Sequence, residues 1–152
     1  MKFGTGLIGA AAVAVAALAL AAPASAQTWR MQDRVGDETF ALAQWASGVL
    51  MFARCDSGDF DLSARLAAQV RGPEVSVSYA FDGGPETTES WPVVTISEMP
   101  AVQASEAFTR GLLTAQSVAY TVSDGRGPNQ RYELGAPAAP RILRRIMTDC
   151  GL

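Results

Sequence analysis

A two-residue alternation of apolar and polar residues predicts several β-strands. The stretches FDLSARL (residues 60–66) and EVSVSYAF (residues 74–81) alternate cleanly, which is typical of strands with one buried face. The stretch TFALAQWA (residues 39–46) is apolar over most of its length and predicts another strand. The stretch VLMFARC (residues 49–55) is apolar at successive positions, so we interpret it as a strand buried on both faces for most of its length.

Turn-forming residues separate these strands and continue the pattern toward the C-terminus. The sequence DSGD (residues 56–59) predicts a hairpin turn between two of the strands. A further strand follows at residues 88–96, where Pro92 indicates an edge or a bulge because proline has no backbone N–H to donate. Residues 117–122 and 130–134 predict a second hairpin.

The apolar period changes to that of a helix in two places. The stretch SEAFTRGLL (residues 105–113) predicts a helix of about three turns, with Ser105 as its N-cap. The stretch APRILRRIMTDC (residues 139–150) predicts an amphipathic helix. Its apolar face contains Ala139, Ile142, Leu143, Ile146 and Cys150. Together these elements predict an α+β or mainly-β domain, of which we favour α+β, in which an antiparallel β-meander or sandwich-like sheet carries one internal helix and a C-terminal helix.

The first 26 residues have the features of a secretory signal peptide. Lys2 supplies a positive charge, residues 7–22 are apolar, and Ala24-Ser25-Ala26 has the small-x-small pattern of a cleavage site. An uncleaved anchor is the alternative, but the apolar run is short for a membrane span. We therefore expect residues 27–152 to form one globular domain in the bacterial periplasm or outside the cell, without a membrane span.

The composition of residues 27–152 narrows the chemistry of the chain. They contain neither histidine nor lysine, which excludes Ser-His and Cys-His pairs, Ser-Lys dyads, Schiff bases and histidine metal sites. They contain 11 arginines and 15 acidic residues, which gives a net charge of −4. No run of basic residues is dense enough to bind nucleic acid. We therefore expect a protein that is not an enzyme and needs no cofactor or metal.

The two cysteines predict a single disulfide bond. An even number of cysteines in an exported chain favours pairing, and Cys55 and Cys150 both fall on apolar faces that can meet in one core. A reactive thiol is the alternative, but the sequence has no C-x-x-C motif and no neighbouring base. The disulfide would close a loop of about 95 residues and stabilise the fold.

Three other motifs have a chemical interpretation beside a structural one. The triplet Asp56-Ser57-Gly58 resembles the motif of an aspartic protease, which with a single copy would need a dimer, but a hairpin turn explains the same residues. Asp59 and Asp61 could join Asp56 around calcium, although the spacing is not that of an EF-hand. Three tryptophans are either part of the hydrophobic core or a platform for binding carbohydrate, namely Trp29, Trp45 and Trp91.

Two regions are candidates for binding a protein or cell-wall partner. The loop at residues 123–129 exposes polar side chains, and exposed loops often carry function. The polar face of the C-terminal helix carries three arginines that would suit an anion or an acidic partner. The candidate binding residues are Asp124, Arg126, Asn129, Arg141, Arg144 and Arg145.

Ten residues from Arg54 onward occur in an order that spans most of the chain, namely Arg54, Cys55, Asp82, Trp91, Phe108, Leu112, Tyr132, Leu134, Gly135 and Cys150. With these residues the chain resembles the type VI secretion-associated VasI/TagO family of exported envelope proteins. This resemblance implies an accessory or partner-binding role in the envelope. The stretch RCDSGDFDLSARL is similar to the start of small periplasmic C-type lysozyme inhibitors, in which an early cysteine pairs with one near the C-terminus. An inhibitor of a lysozyme-type enzyme is therefore the alternative function.

Overall fold

A computed structural model describes residues 27–32, 38–45, 48–135, 137–138 and 140–152. The expected signal peptide, residues 1–26, lies outside this range. The strands are β1 (Gln27–Thr28), β2 (Arg30–Met31), β3 (Thr39–Gln44), β4 (Leu50–Asp56), β5 (Asp59–Arg65), β6 (Glu74–Phe81), β7 (Thr87–Ile96), β8 (Met99–Gln103), β9 (Ser117–Ser123), β10 (Gln130–Gly135) and β11 (Pro137–Ala138). The helices are α1 (Glu106–Leu112) and α2 (Pro140–Asp149).

Antiparallel sheet dominates the described part of the chain. Nine strands follow one another in the order β10-β9-β6-β7-β8-β5-β4-β3-β2, while β1 and β11 form a separate parallel pair. The two helices have only 7 and 10 residues. The internal helix, the C-terminal helix and the disulfide are confirmed. The fold is nevertheless closer to all-β, the alternative class, than to the favoured α+β class, because short strands extend the sheet beyond the predicted ones.

Strand β7 joins the two halves of the sheet. It pairs with β6 as far as Pro92 and with β8 from Val93 onward. Pro92 therefore lies in an interior strand and not at an edge. The missing N–H of this proline is tolerated because the strand changes partner at this point. The next amide, Val93 N, donates to the carbonyl oxygen of Pro73 at 2.8 Å.

Strand β8 was not predicted, because the turn that precedes it contains no typical turn residue. Ser97 and Glu98 connect β7 to β8, and both have positive φ angles, 47° and 68°. A two-residue hairpin turn of this kind usually contains glycine or asparagine, so the sequence carries no turn signal here. The turn between β4 and β5 has the same geometry at Ser57 and Gly58, with φ angles of 53° and 90°, and there the glycine made it predictable.

An aromatic cluster fills the space between α1 and strands β6, β7 and β9. Phe108, on α1, is fully buried. Its ring centroid lies 5.1 Å from that of Tyr79, 4.9 Å from that of Trp91 and 5.9 Å from that of Tyr120. The predicted N-cap is confirmed, since Ser105 Oγ accepts a hydrogen bond from Phe108 N at 3.1 Å. The helix itself is nearer two turns than three.

Helix α2 packs on the inner faces of β3 and β4. Leu143, Ile146 and Met147 are buried there, of which the amphipathic pattern predicted the first two. The predicted position Ala139 lies outside the described residues. Cys150 is bonded to Cys55 with their Cα atoms 5.6 Å apart, which confirms the predicted disulfide.

The three tryptophans all belong to the buried core. Trp29, Trp45 and Trp91 are at most 4% exposed, which favours the core interpretation over a carbohydrate platform. Trp45 also donates its indole N–H to the carbonyl oxygen of Gly135 at 3.2 Å, linking the end of β3 to the end of β10. Neither α1 nor α2, the described helices, is long and apolar enough to cross a membrane.

Candidate functional site

Strands β3 and β4 carry apolar side chains on both faces of the sheet. In strands β3 and β4 the inward residues Ala41, Met51 and Ala53 are fully buried in the core. The outward residues Phe40 and Phe52 alternate with them and are only half-buried. The apolar run of β4, which predicts burial on both faces, therefore has one face in the core and the other partly open to solvent.

The outer face of this half of the sheet forms a cleft of about 480 Å³. Its floor includes the rings of Phe40 and Phe52, which stack with their centroids 5.8 Å apart and their planes 19° from parallel. Val94 and Ile96 of β7 continue the apolar surface on the far side of the cleft. The polar lining consists of Glu38, Arg54, Asp61, Ser63, Thr95, Ser97 and Gln103.

Arg54 lies at one end of the cleft and is held by carboxylates. Its Nε and Nη2 atoms donate to Asp61 Oδ2 at 2.8 Å and 2.7 Å, while Nη1 lies 3.9 Å from Glu38 Oε1. The hydrogen bond and the charge of Asp61 are the largest causes of a raised pKa for Arg54, followed by the nearby charges of Glu38 and Asp56. The guanidinium is therefore fixed in place by its acidic neighbours.

Among the described residues, acidic groups outnumber basic ones at this end of the cleft. We call Glu38, Asp56 and Asp61 the acidic rim; Glu38 and Asp61 line the cleft, whereas Asp56 lies beside it, near the cation Arg54. Asp56 follows Phe52 and Arg54 on the outer face of β4, according to the two-residue period of the strand. The rim and Arg54 together carry a net charge of −2 at neutral pH.

The DSG triplet forms a hairpin turn, as the structural interpretation predicted. Asp56 and Asp59 face each other across the turn, and Ser57 Oγ donates to Asp56 Oδ1 at 3.1 Å. Asp61 instead pairs with Arg54. Within the described residues, no group of three or more histidine, cysteine or acidic side chains is placed to hold a metal ion. The calcium interpretation of these aspartates has no support from this geometry.

The predicted binding residue Asp124 holds its own loop together. Its Oδ1 atom accepts hydrogen bonds from the backbone N–H groups of Arg126 and Gly127, both at 2.9 Å. Its Oδ2 atom accepts from Arg71 N at 3.1 Å, which ties the loop to the segment after β5. Arg126 and Asn129 are exposed. A binding role for these two residues stays a prediction.

The pKa of Asp124 gives this loop a predicted pH dependence. Hydrogen bonds from Arg126, Gly127 and Arg71 lower the pKa below the ordinary aspartate value of 3.8. A lowered pKa in the folded state stabilises the fold above the unfolded value and loses that effect as the pH falls through the folded value. We expect Asp124→Asn to lower the melting temperature at pH 7, and the difference from wild type to shrink below pH 3.8. Thermal unfolding followed by circular dichroism across pH measures this, and a difference that does not change with pH would contradict it.

The predicted arginine face of α2 is exposed but lies apart from both the loop and the cleft. Arg141, Arg144 and Arg145 point away from the sheet, and Arg145 Nε lies 3.9 Å from Asp149 Oδ2. The loop precedes β10 and α2 comes after it, so they lie at opposite ends of this strand. No hydrogen bond or ion pair among the described residues joins the loop to α2. Because α2 covers the inner face of β3 and β4, its arginines lie on the side of the sheet opposite the cleft.

None of the residues proposed for binding from the sequence lines the cleft. The sequence feature from which the cleft could have been inferred is the apolar run of residues 49–55. A strand that is apolar on both faces keeps apolar side chains on the side away from the core. Among the described residues, this outer side of β4 forms part of the cleft floor.

The comparisons with known proteins identify a shared fold. No model of a known family matches the chain, and no curated protein matches it. Among solved structures, the crystal structure of invasion associated protein B from Bartonella henselae is similar, with a TM-score of 0.57 over 82% of this chain and 94% of that chain. The two sequences are 10% identical, so the likeness shows a common fold and nothing further.

Proposed function

We propose that this chain is an exported, non-enzymatic envelope protein that binds a protein partner through the cleft on the outer face of β3, β4, β5, β7 and β8. The observation that carries the proposal is the stacked pair Phe40 and Phe52, which leaves apolar surface on the solvent side of the sheet. Concave apolar surfaces edged by a few oriented polar groups are typical of binding sites.

Export to an oxidising compartment is supported by the Cys55–Cys150 disulfide, since such bonds persist mainly outside the cytosol. The signal-peptide pattern of residues 1–26 supports the same location.

A binding role without catalysis is supported by the chemistry of the carboxylates. Glu89, on β7, accepts hydrogen bonds from Tyr79 Oη at 2.9 Å and Trp91 Nε1 at 2.8 Å. Burial acts to raise its pKa, but hydrogen bonds from Ser105, Trp91 and Tyr79 outweigh it and lower the pKa. A general acid at neutral pH needs a raised pKa, so Glu89 suits a structural role.

The resemblance to the VasI/TagO family adds a narrower proposal, an accessory role in type VI secretion. It rests on the sequence motifs around Arg54, Trp91 and Cys150, and no feature of the cleft depends on it. Location of the gene among type VI secretion genes would support this narrower role. Location elsewhere would remove it without affecting the proposal that the cleft binds a partner.

Site-specific photo-crosslinking in the producing cells tests the binding role. A benzophenone amino acid in place of Phe52 is expected to give one discrete adduct, because the partner would lie against the cleft floor. Ser76, exposed on β6 in the other half of the sheet, is the matched control and is expected to give none. Absence of an adduct at Phe52, or the same adducts from both positions, would contradict the proposal.

A further inference from the structure

We propose that the cleft recognises an extended protein segment in which apolar side chains are followed by arginine or lysine. This inference rests on the proposed function and names the chemistry of the partner. Three features of the cleft lead to it, namely its length, its apolar floor and the excess negative charge at one end.

The length of the cleft suits about six residues of extended chain. Its lining residues come from β3, β4, β5, β8 and β7, which are neighbours in that order in the sheet. Four strand spacings of about 4.8 Å give a trough of about 19 Å, and an extended residue spans about 3.3 Å. A trough that crosses five strands fits a chain lying across the sheet better than a compact small molecule.

The floor offers flat apolar surface to alternate side chains of such a segment. Phe40 and Phe52 stack on each other and remain half-buried, and Val94 and Ile96 are half-buried as well. Because side chains of an extended chain alternate in direction, every second residue can contact this floor. Gln103, which is half-buried on β8 opposite the buried Ser63 of β5, supplies a polar group between the apolar ones.

The acidic rim selects the charge of the partner. Asp61 is already paired with Arg54, while Glu38 is no closer than 3.9 Å to it and Asp56 forms no ion pair within the described residues. Counted over the described residues, this leaves an excess of two negative charges beside the apolar floor. A cationic side chain is attracted to this end, and an anionic ligand is repelled, because charge complementarity sets which partners are accepted.

Fluorescence anisotropy with labelled hexapeptides tests the proposal. The probe has the sequence Leu-Thr-Phe-Val-Arg-Arg, and two comparison peptides replace either both arginines by glutamate or the apolar residues by serine. We expect the basic apolar probe to bind at least about tenfold more tightly than either comparison peptide. We also expect its affinity to fall as salt is added, since exposed charges are screened.

Protein variants locate the interaction. The double variant Glu38→Gln with Asp56→Asn is expected to lose about tenfold in affinity together with most of the salt dependence. The variant Phe52→Ser is expected to lose about tenfold but to keep the salt dependence. The control Glu86→Gln with Asp149→Asn removes two exposed acids elsewhere on the chain and is expected to bind like wild type.

Each outcome separates this inference from the proposed function. Equal binding of the arginine and glutamate peptides, or an unchanged affinity of the rim variant, would overturn the proposed charge selection. If a neutral oligosaccharide binds in a Phe52-dependent way and no peptide does, the peptide chemistry is overturned. A discrete crosslink from Phe52 without binding of any peptide would also overturn this inference, while leaving the proposed function in place.

Discussion

Replacement of both Cys55 and Cys150 by serine is expected to lower the free energy of unfolding by about 4–5 kcal/mol. The bond joins residues 95 positions apart, so without it the unfolded chain gains a large amount of conformational freedom. It also holds the end of α2 on β4, where Leu143 and Ile146 enter the core. Because a small domain has a total stability of about 5–15 kcal/mol, this loss is expected to bring the protein close to unfolding.

Urea denaturation measures this loss, and reduction of the wild type provides the control. We expect a reducing agent to shift the wild-type transition to that of the double serine variant, and to leave the variant itself unchanged. Similar urea midpoints for oxidised wild type and the double variant would contradict a stabilising role. A thiol assay that finds two free thiols in the unfolded, unreduced wild type would contradict the disulfide itself.

The variant Phe108→Ala is expected to lower the free energy of unfolding by about 3–5 kcal/mol. The Phe108 ring is fully buried and contacts the rings of Tyr79, Trp91 and Tyr120 in the described structure. Truncation leaves a cavity among rigid rings, which can relax only in part. Denaturant unfolding followed by tryptophan fluorescence measures the change.

The matched control is Phe52→Ala in the cleft. Its ring is half-buried on the outer face, so we expect a loss of about 1 kcal/mol. The comparison of the two phenylalanines separates residues that stabilise the core from residues that are available to a partner. A loss at Phe52 as large as that at Phe108 would mean that the cleft floor is part of the core, and would contradict its assignment as a binding surface.

The strands and helices were predictable where local signals agree. Residues 74–81 alternate strictly, and the structure has β6 over that range, Glu74–Phe81. At the β4–β5 turn, Gly58 marks the positive φ angle that the hairpin needs. The C-terminal helix was predictable from the spacing of Leu143 and Ile146, and its attachment from the second cysteine.

Features that depend on tertiary structure were not predictable in the same way. Ser97 and Glu98 adopt positive φ angles without glycine, so the hairpin that adds β8 had no local signal. Pro92 looked like an edge residue because the sequence cannot show that β7 changes partner there. The hydrogen bonds that Asp124 accepts from backbone N–H groups of two segments also depend on tertiary structure, and its predicted binding role stays a prediction.

The cleft also depends on tertiary structure and was not predictable from the sequence. The apolar run of β4 indicated burial on both faces, which is correct for the core side and only half correct for the side of Phe52. Arg54 and Asp61 are brought together by the register of β4 and β5. Val94 reaches the same cleft only because the unpredicted β8 lies between β7 and β5 and joins them in one sheet.

Amide chemical shift mapping of the purified protein, residues 27–152, shows whether a partner binds across the cleft. On addition of the basic apolar hexapeptide, we predict that the largest shifts will occur at residues of β3, β4, β5 and β8 that line the cleft, including Phe52 and Gln103. The amides of Ser76 and Arg144 are predicted to stay unchanged. Shifts confined to the loop at residues 123–129 or to α2 would contradict binding across the cleft.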